Sequence, residues 1–212
     1  MKKKTTKLTP QELKPLYAEK KKAIRQRLAE FKNVPPEEYF YECVYCLLTP
    51  QSSAVNAGKT VILLRNCGFS NSAIDPEPLL HQKDFYIRFH RTKAKHLLRM
   101  KEHFPAILEQ LTSGTNSSIL REWLVKNVKG MGWKEASHFL RNIGRRNLAI
   151  LDRHILKNLL RLGVLRSLPK TLTTKSYLSI EKKFKTFSQE IGIPMDELDL
   201  LFWSMETGEI LK

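Results

Sequence analysis

The fold is decided by residues 128–144, which read VKGMGWKEASHFLRNIG. One amphipathic segment ends at Val128, the glycines Gly130 and Gly132 follow, and a second amphipathic segment begins at Lys134. Apolar residues at helical spacing on both sides of a G-x-G turn predict two helices joined by a hairpin. Glycine permits a positive φ and a close backbone approach, so the free N–H groups that open the second helix form a site for an anion such as phosphate. The alternative is an ordinary tight turn between packed helices.

Helical periodicity also runs through the rest of the chain. A first helix is expected to begin at Pro15 and to bury a stripe that includes Ile24, Leu28 and Phe31. No stretch alternates convincingly with a period of two residues, so the pattern favours an all-α fold of roughly ten short helices. The other predicted helices cover residues 36–48, 53–67, 85–104, 106–111, 118–127, 134–143, 152–162, 174–190 and 195–205.

Positive charge is the unusual feature of the composition. The 212 residues include 37 Lys and Arg against 21 Asp and Glu, which gives a net charge of +16. The excess lies in three blocks, residues 1–32, 83–101 and 126–161. Such blocks indicate a polyanionic partner, either nucleic acid or an anionic membrane. A helix on a membrane surface needs a broad apolar face, and residues 1–32 offer only a narrow stripe, so nucleic acid is favoured.

Cysteine usage and hydropathy bear on the compartment. Three cysteines are too few for a disulfide framework, and no secretory leader pattern opens the sequence, which predicts a reduced, cytoplasmic protein. The longest apolar run, residues 43–48, is too short to span a membrane. Cys43 and Cys46 are spaced as half of a metal site, but no second cysteine pair completes four ligands. Two buried thiols are therefore expected.

Two polar residues at and after the hairpin carry candidate chemistry. Lys134 stands beside the positive end of a helix dipole and among other cations, which favour its uncharged, nucleophilic amine; the alternative is a solvated surface lysine. Asp152 follows an apolar segment and is placed to cap the next helix. A carboxylate there can also stabilise the positive charge that develops on deoxyribose when a base leaves, and can help to deprotonate the lysine. The two roles of Asp152 are compatible.

The hairpin string GMGWK, residues 130–134, followed by Asp152 resembles the helix-hairpin-helix DNA glycosylase superfamily. The longer strings KEASHFLRN, residues 134–142, and LDRH, residues 151–154, are more specifically similar to the archaeal-type 8-oxoguanine DNA glycosylase/AP lyases. A Leu-Asp-Leu and aromatic-Trp stretch, residues 198–203, and a C-terminal lysine extend the resemblance over most of the chain.

The resemblance implies both a reaction and a fold. Lys134 would attack C1′ of a flipped-out nucleotide, expel 8-oxoguanine and form a Schiff base that permits β-elimination, with Asp152 as the accompanying acid. The protein would thus be a bifunctional DNA N-glycosylase and DNA-(apurinic or apyrimidinic site) lyase of base-excision repair. The implied fold has two helical lobes, a central domain over residues 34–147 and a second over residues 1–33 plus 148–212, with the hairpin at the inter-lobe DNA-binding cleft.

The resemblance also implies how the lesion is recognised. Phe89 and Trp203 would form the aromatic pocket for the base, with core packing as the alternative for both. Lys212, through its terminal carboxylate or ammonium, would distinguish 8-oxoguanine from guanine. The chemical difference is clear, because 8-oxoguanine bears a hydrogen on N7 where guanine has a bare acceptor.

Contacts to the duplex are implied for Gly130 and Gly132 in the hairpin and for His154. The sequence departs from members of the group that read LTAN after the cysteine-bearing helix, since it reads LTPQS here. Gln51 occupies the place of a gap-filling Gln in endonuclease III-like relatives and is the suggested wedge.

No resident cofactor is expected, because residues 152–212 contain no cysteine for the iron–sulfur cluster that some relatives carry. A monovalent cation, Na⁺ or K⁺, at the hairpin carbonyls stays an open alternative. The expected partner is double-stranded DNA containing 8-oxoguanine, bound by a monomer that associates with the nucleoid and not with a membrane. Two other functions stay open: an endonuclease III-like glycosylase for oxidised pyrimidines, and a non-catalytic helix-hairpin-helix DNA-binding module, which would leave Asp152 and Lys212 without a purpose.

Overall fold

A computed structural model describes residues 7–210 of the chain, and this part is built from helices and loops. Within it no β-strand is present, and a lone antiparallel bridge joins His81 to Tyr86. The all-α prediction is confirmed. The helices are α1 (Pro10–Lys32), α2 (Tyr39–Leu48), α3 (Ala54–Asn66), α4 (His90–Thr112), α5 (Ser117–Asn127), α6 (Trp133–Asn142), α7 (Arg153–Arg161), α8 (Thr174–Ile191) and α9 (Met195–Thr207).

The first helix begins earlier than predicted. It begins at Pro10, whereas the periodicity placed its start at Pro15. Thr9 and Glu12 form a capping box, in which the Thr9 N–H donates to the Glu12 carboxylate at 2.8 Å and the Glu12 N–H donates back to the Thr9 hydroxyl at 3.3 Å. This box stabilises one more helical turn and leaves Pro15 inside the helix.

The predicted break at Pro105 is wrong, because α4 runs through it without interruption. Its buried face includes Leu97 and Met100 before the proline and Ile107 and Leu111 after it, so packing holds the helix together across the missing N–H. The start of α4 also differs from the prediction, since the helix begins at His90 and not at residue 85. The residue before His90 has a left-handed backbone, which prevents the helix from reaching back to residue 85.

The chain divides into two compact units. The central unit is Val34–Ile143 and contains α2 to α6, with α2 packed against α3, α4 and α6. Cys43 and Cys46 lie fully buried on α2, as predicted, and burial raises the pKa of the Cys43 thiol. None of the helices in residues 7–210 has the length and apolar content needed to cross a bilayer.

The terminal unit contains the described residues up to Asn33 and from Gly144 onward, and it holds α1, α7, α8 and α9. Helix α1 packs on α9, where the Glu197 carboxylate accepts hydrogen bonds from the Tyr17 hydroxyl and from Arg25. The boundary after Ile143 lies before the one predicted after residue 147. Residues 144–147 belong to this unit, where the Asn147 N–H donates to Asp196 and the Arg146 guanidinium donates to the Leu28 carbonyl.

Candidate active site

The predicted helix-turn-helix is confirmed within the central unit. Helix α5 ends at Asn127 and α6 begins at Trp133, with the G-x-G turn between them. Met131 is buried between the two glycines, so the turn is anchored in the core of the unit. Gly132 is the N-cap of α6, and its carbonyl accepts from Ala136 N at 2.9 Å. The first N–H groups of α6 therefore follow a residue that has no side chain to cover them.

Gly130 is required for two separate reasons. Its φ is +90°, a conformation that residues with a Cβ adopt only with strain. A Cβ at this position would also lie 2.2 Å from Nδ1 of His96, so the imidazole occupies the space that a side chain would need. Burial lowers the pKa of His96, and the nearby Lys129 and Arg99 lower it further. The same cations line a cavity of about 440 Å³ beside the turn.

The two requirements at Gly130 are separable by substitution. Gly130→Ala is expected to lose about 1–2 kcal/mol of unfolding free energy from the positive φ alone, and more from the contact with His96. Its affinity for duplex DNA should also fall, because relief of the contact moves the hairpin. Thermal unfolding and fluorescence anisotropy with a labelled duplex measure the two effects.

Gly114 provides the matched control for this substitution. It has a φ of +75° in the same unit, and a Cβ there meets nothing within 4 Å. Gly114→Ala should therefore show only the backbone strain and leave DNA binding unchanged. Equal losses of stability in both variants, with DNA affinity unchanged in both, would contradict the role assigned to the His96 contact.

Lys134 lies in the first turn of α6 and is paired with its neighbour. Its Nζ is 3.0 Å from Oε1 of Glu135, and the two side chains are 26% and 14% exposed. The other carboxylate oxygen of Glu135 folds back over Gly132, at 2.9 Å from where a Cβ would be. Sequence reasoning considered the dipole and the cations around Lys134 but missed this anion. An acidic residue in the first helical turn is the signal that points to it.

Lys93 is a second lysine of the central unit that sequence reasoning missed. It belongs to the basic block of residues 83–101, but its exposure is only 6%. Burial lowers the pKa of Lys93 to about 8, and the charge of Lys134 contributes in the same direction. Glu135 opposes the shift. An electrostatic connection thus links Lys93 to the turn that carries Lys134.

Asp152 is the N-cap of α7 in the terminal unit, and both of its carboxylate oxygens accept hydrogen bonds. One carboxylate oxygen accepts from the backbone N–H groups of His154 and Ile155, each at 2.8 Å. The other accepts from the indole Nε1 of Trp203 at 3.0 Å. The helix-capping role considered for Asp152 is thus present. A carboxylate fixed by three donors has one orientation, as a group that must face a developing charge requires.

Trp203 joins this group by a second contact. Its ring meets the imidazole of His154 edge to face, with centroids 5.6 Å apart, and Trp203 is partly exposed and not part of the core. The terminal unit thus brings together Asp152, His154 and Trp203, although 51 positions separate Asp152 from Trp203 in sequence. Lys212 lies outside the described residues, and its predicted role in recognition stays a prediction.

Phe89 and Gln51 lie on neighbouring loops of the central unit. Phe89 is 51% exposed, which excludes the core-packing alternative, and the guanidinium of Arg88 lies 4.9 Å from its ring centroid. Gln51 is exposed in the loop after α2. The two loops are joined where the Arg88 N–H donates to the Ser52 hydroxyl at 3.0 Å. No cluster of His, Cys, Asp and Glu in residues 7–210 is arranged to hold a metal ion.

The glycine hairpin, the lysine that opens its second helix and the capping carboxylate define the helix-hairpin-helix class of DNA glycosylases. The family model described as 8-oxoguanine DNA glycosylase matches residues 24–193. An 8-oxoguanine DNA glycosylase/AP lyase of Fusobacterium nucleatum is 41% identical, over 95% of this chain and 96% of the relative, and one of Korarchaeum cryptofilum is 40% identical, over 89% and 90%. The chain belongs to the 8-oxoguanine DNA glycosylase family.

Solved structures agree with this assignment. The 8-oxoguanine DNA glycosylase of Methanocaldococcus jannaschii superposes with a TM-score of 0.83 at 34% identity, covering 96% of this chain and 95% of that one. A crystal structure of the same archaeal enzyme in complex with DNA containing 8-oxoguanine gives a TM-score of 0.83 and covers 99% of its chain. The predicted helix-hairpin-helix fold and family are therefore confirmed.

Proposed function

We propose that this protein excises 8-oxoguanine from double-stranded DNA and then cleaves the backbone at the abasic site. It acts as a bifunctional DNA N-glycosylase and DNA-(apurinic or apyrimidinic site) lyase in base-excision repair. The observation that carries the proposal is the position of Lys134, at the start of the second hairpin helix of a chain that belongs to this family.

Lys134 supplies the nucleophile of the proposed reaction. After losing a proton, its amine attacks C1′, the bond from C1′ to the base breaks, and 8-oxoguanine departs with a proton. Opening of the sugar ring gives a Schiff base between Nζ and C1′. Loss of a proton from C2′ then breaks the bond from C3′ to the 3′ phosphate, which leaves by β-elimination. Because the amine must first be uncharged, the ion pair with Glu135 has to be released on the way.

Asp152 supplies the negative charge. As the base leaves, positive charge develops on the sugar, and a carboxylate already fixed by three N–H donors stabilises it with little reorganisation. Proton transfer from Lys134 is the second role proposed for this carboxylate. The cap of α7 and the chemistry thus use the same side chain.

The lesion is held by aromatic surfaces and by the C-terminal lysine in this proposal. Phe89, half exposed, and Trp203, held by its own hydrogen bond to Asp152, offer faces on which an extruded base can stack. Lys212 selects the protonated N7 of 8-oxoguanine. Gly130, Gly132 and the adjoining cations bind the phosphate backbone without reading sequence.

In this proposal the protein acts as a monomer. It binds DNA of the nucleoid in the cytoplasm and does not act on a membrane. It needs no iron–sulfur cluster, since no cysteine follows Cys67 in the sequence. A monovalent cation at the hairpin carbonyls is the one ion that the proposal allows.

A panel of lesions with borohydride trapping tests this function. Duplexes carrying 8-oxoguanine, an oxidised pyrimidine or no lesion are each incubated with the protein and borohydride. A covalent complex and strand cleavage are expected with 8-oxoguanine, at a rate about 100-fold or more above the undamaged duplex. Preference for the oxidised pyrimidine would replace the proposed substrate. Binding without trapping on any duplex would reduce the protein to a DNA-binding module.

A further inference from the structure

Lys93 is a buried cation whose three donors are all used. Its Nζ donates to the Leu48 carbonyl at 2.6 Å, to the Pro50 carbonyl at 2.7 Å and to the Ser52 hydroxyl at 3.1 Å. Leu48 is the last residue of α2, so its carbonyl belongs to the negative end of that helix. An ammonium has three N–H groups and no acceptor, and here each one has a partner.

The contacts of Lys93 converge on one loop, residues 49–53, which we call the Gln51 loop. Gln51 has a φ of +54°, a left-handed backbone that a non-glycine residue keeps only when its surroundings hold it there. Lys93 bonds to the residues on both sides of it. The same lysine lies in the first turn of α4. This helix begins directly after Phe89, whose φ is +61°.

Ser52 extends the connection to the Phe89 side. Its hydroxyl oxygen accepts a hydrogen bond from the Lys93 ammonium at 3.1 Å and another from the Arg88 backbone N–H at 3.0 Å. One buried lysine and one serine thus join the end of α2, the Gln51 loop and the start of α4. These contacts hold the segments that carry two residues with a strained, left-handed backbone, Gln51 and Phe89.

We propose that Lys93 is a positioning residue that holds the Gln51 loop in the conformation in which Gln51 enters the gap left by an extruded base. The inference rests on the proposed function, since a gap to fill exists only if a base is flipped out. Lys93 does not touch the DNA. Its contribution is greatest when the lesion is paired, because extruding a paired base costs more than extruding one that is already unpaired.

The charge state of Lys93 allows a second, independent test of the proposal. An uncharged amine has two N–H groups instead of three, so one contact to the Gln51 loop is lost when the ammonium loses its proton. The pKa of Lys93 is lowered to about 8, chiefly by burial, so the change occurs in an accessible range. Lys134 and Glu135 of α6 are the charged groups that act on it. Their own titration alters chemistry on every substrate alike.

The test compares single-turnover excision of 8-oxoguanine paired with cytosine and of 8-oxoguanine facing an abasic gap. Lys93→Met keeps the length of the side chain and removes the donors. It is expected to lower the ratio of paired to unpaired rates about tenfold, as for the loss of hydrogen bonds to a charged group. Ser52→Ala should lower the ratio less, and Gln51→Ala should lower it by as much as Lys93→Met. The double variant Lys93→Met, Gln51→Ala should show no further decrease.

Lys95→Met is the matched control, because it removes an exposed lysine from the same helix. Its ratio of excision rates on the paired and the unpaired substrate should equal that of the wild-type protein. The wild-type ratio should also fall between about pH 7 and about pH 9, whereas that of Lys93→Met stays flat. Equal losses on both substrates in Lys93→Met and Ser52→Ala, or a wild-type ratio that ignores pH, would overturn the proposal. Failure of the wild-type protein on both substrates would instead refute the proposed function.

Discussion

Lys134→Gln is expected to abolish the covalent step. With 8-oxoguanine duplex and borohydride the variant should form no trapped complex, and its excision rate should fall by more than about 1,000-fold, because glutamine has no nucleophilic amine. Binding of the lesion duplex should persist, since the hairpin backbone of α5 and α6 is unchanged. Denaturing gels measure trapping and strand cleavage, and anisotropy measures affinity.

Lys126→Gln is the control for loss of positive charge near the hairpin. Lys126 is 68% exposed and pairs with Glu122 on α5 at 2.8 Å, so its removal takes away the same charge without a nucleophile. At saturating protein the control should trap as fully as the wild-type protein. A Lys134→Gln adduct at wild-type yield would move the nucleophile elsewhere.

The parts of this site that the sequence predicts are local in the chain. The hairpin follows from glycine spacing and apolar periodicity within residues 128–144, and both act over a few residues. The helix cap at Asp152 is equally local. The start of α1 at Pro10 can also be predicted from the sequence, since Thr9 and Glu12 have the spacing of a capping box.

The parts that the sequence does not predict depend on which distant segments pack together. A count of charges treats Lys93 as one more surface lysine, but it is buried, and its ammonium donates to two carbonyls and a hydroxyl that lie 41 to 45 positions away in the sequence. Arg121 and Arg141 are likewise 2% and 5% exposed in the same unit. Burial is decided by tertiary packing, so composition overstates the positive surface that is available to DNA.

Asp152→Asn separates the cap from the chemistry. Asparagine caps helices about as well as aspartate, so the cap of α7 should be kept, while its NH2 group cannot accept from the Trp203 N–H and that one contact is lost, at a cost of about 1 kcal/mol. The carboxylate charge is lost, and excision should slow by about 100-fold, because the positive charge on the sugar is no longer opposed. Single-turnover excision and thermal unfolding measure the two effects on the same protein, and affinity for the lesion duplex should be retained.

Two further variants decide what the carboxylate does. Asp152→Ala removes the cap as well, and should lose about 1 kcal/mol of stability that Asp152→Asn keeps. Trp203→Phe retains an aromatic ring but loses the N–H that donates to Asp152, so a carboxylate whose orientation matters should make this variant slow even with its charge intact. If Asp152→Asn excises at the wild-type rate while Asp152→Ala unfolds more easily, the side chain is only a cap. If both are slow, and Asp152→Ala loses the further stability of the cap, the charge itself takes part in the reaction.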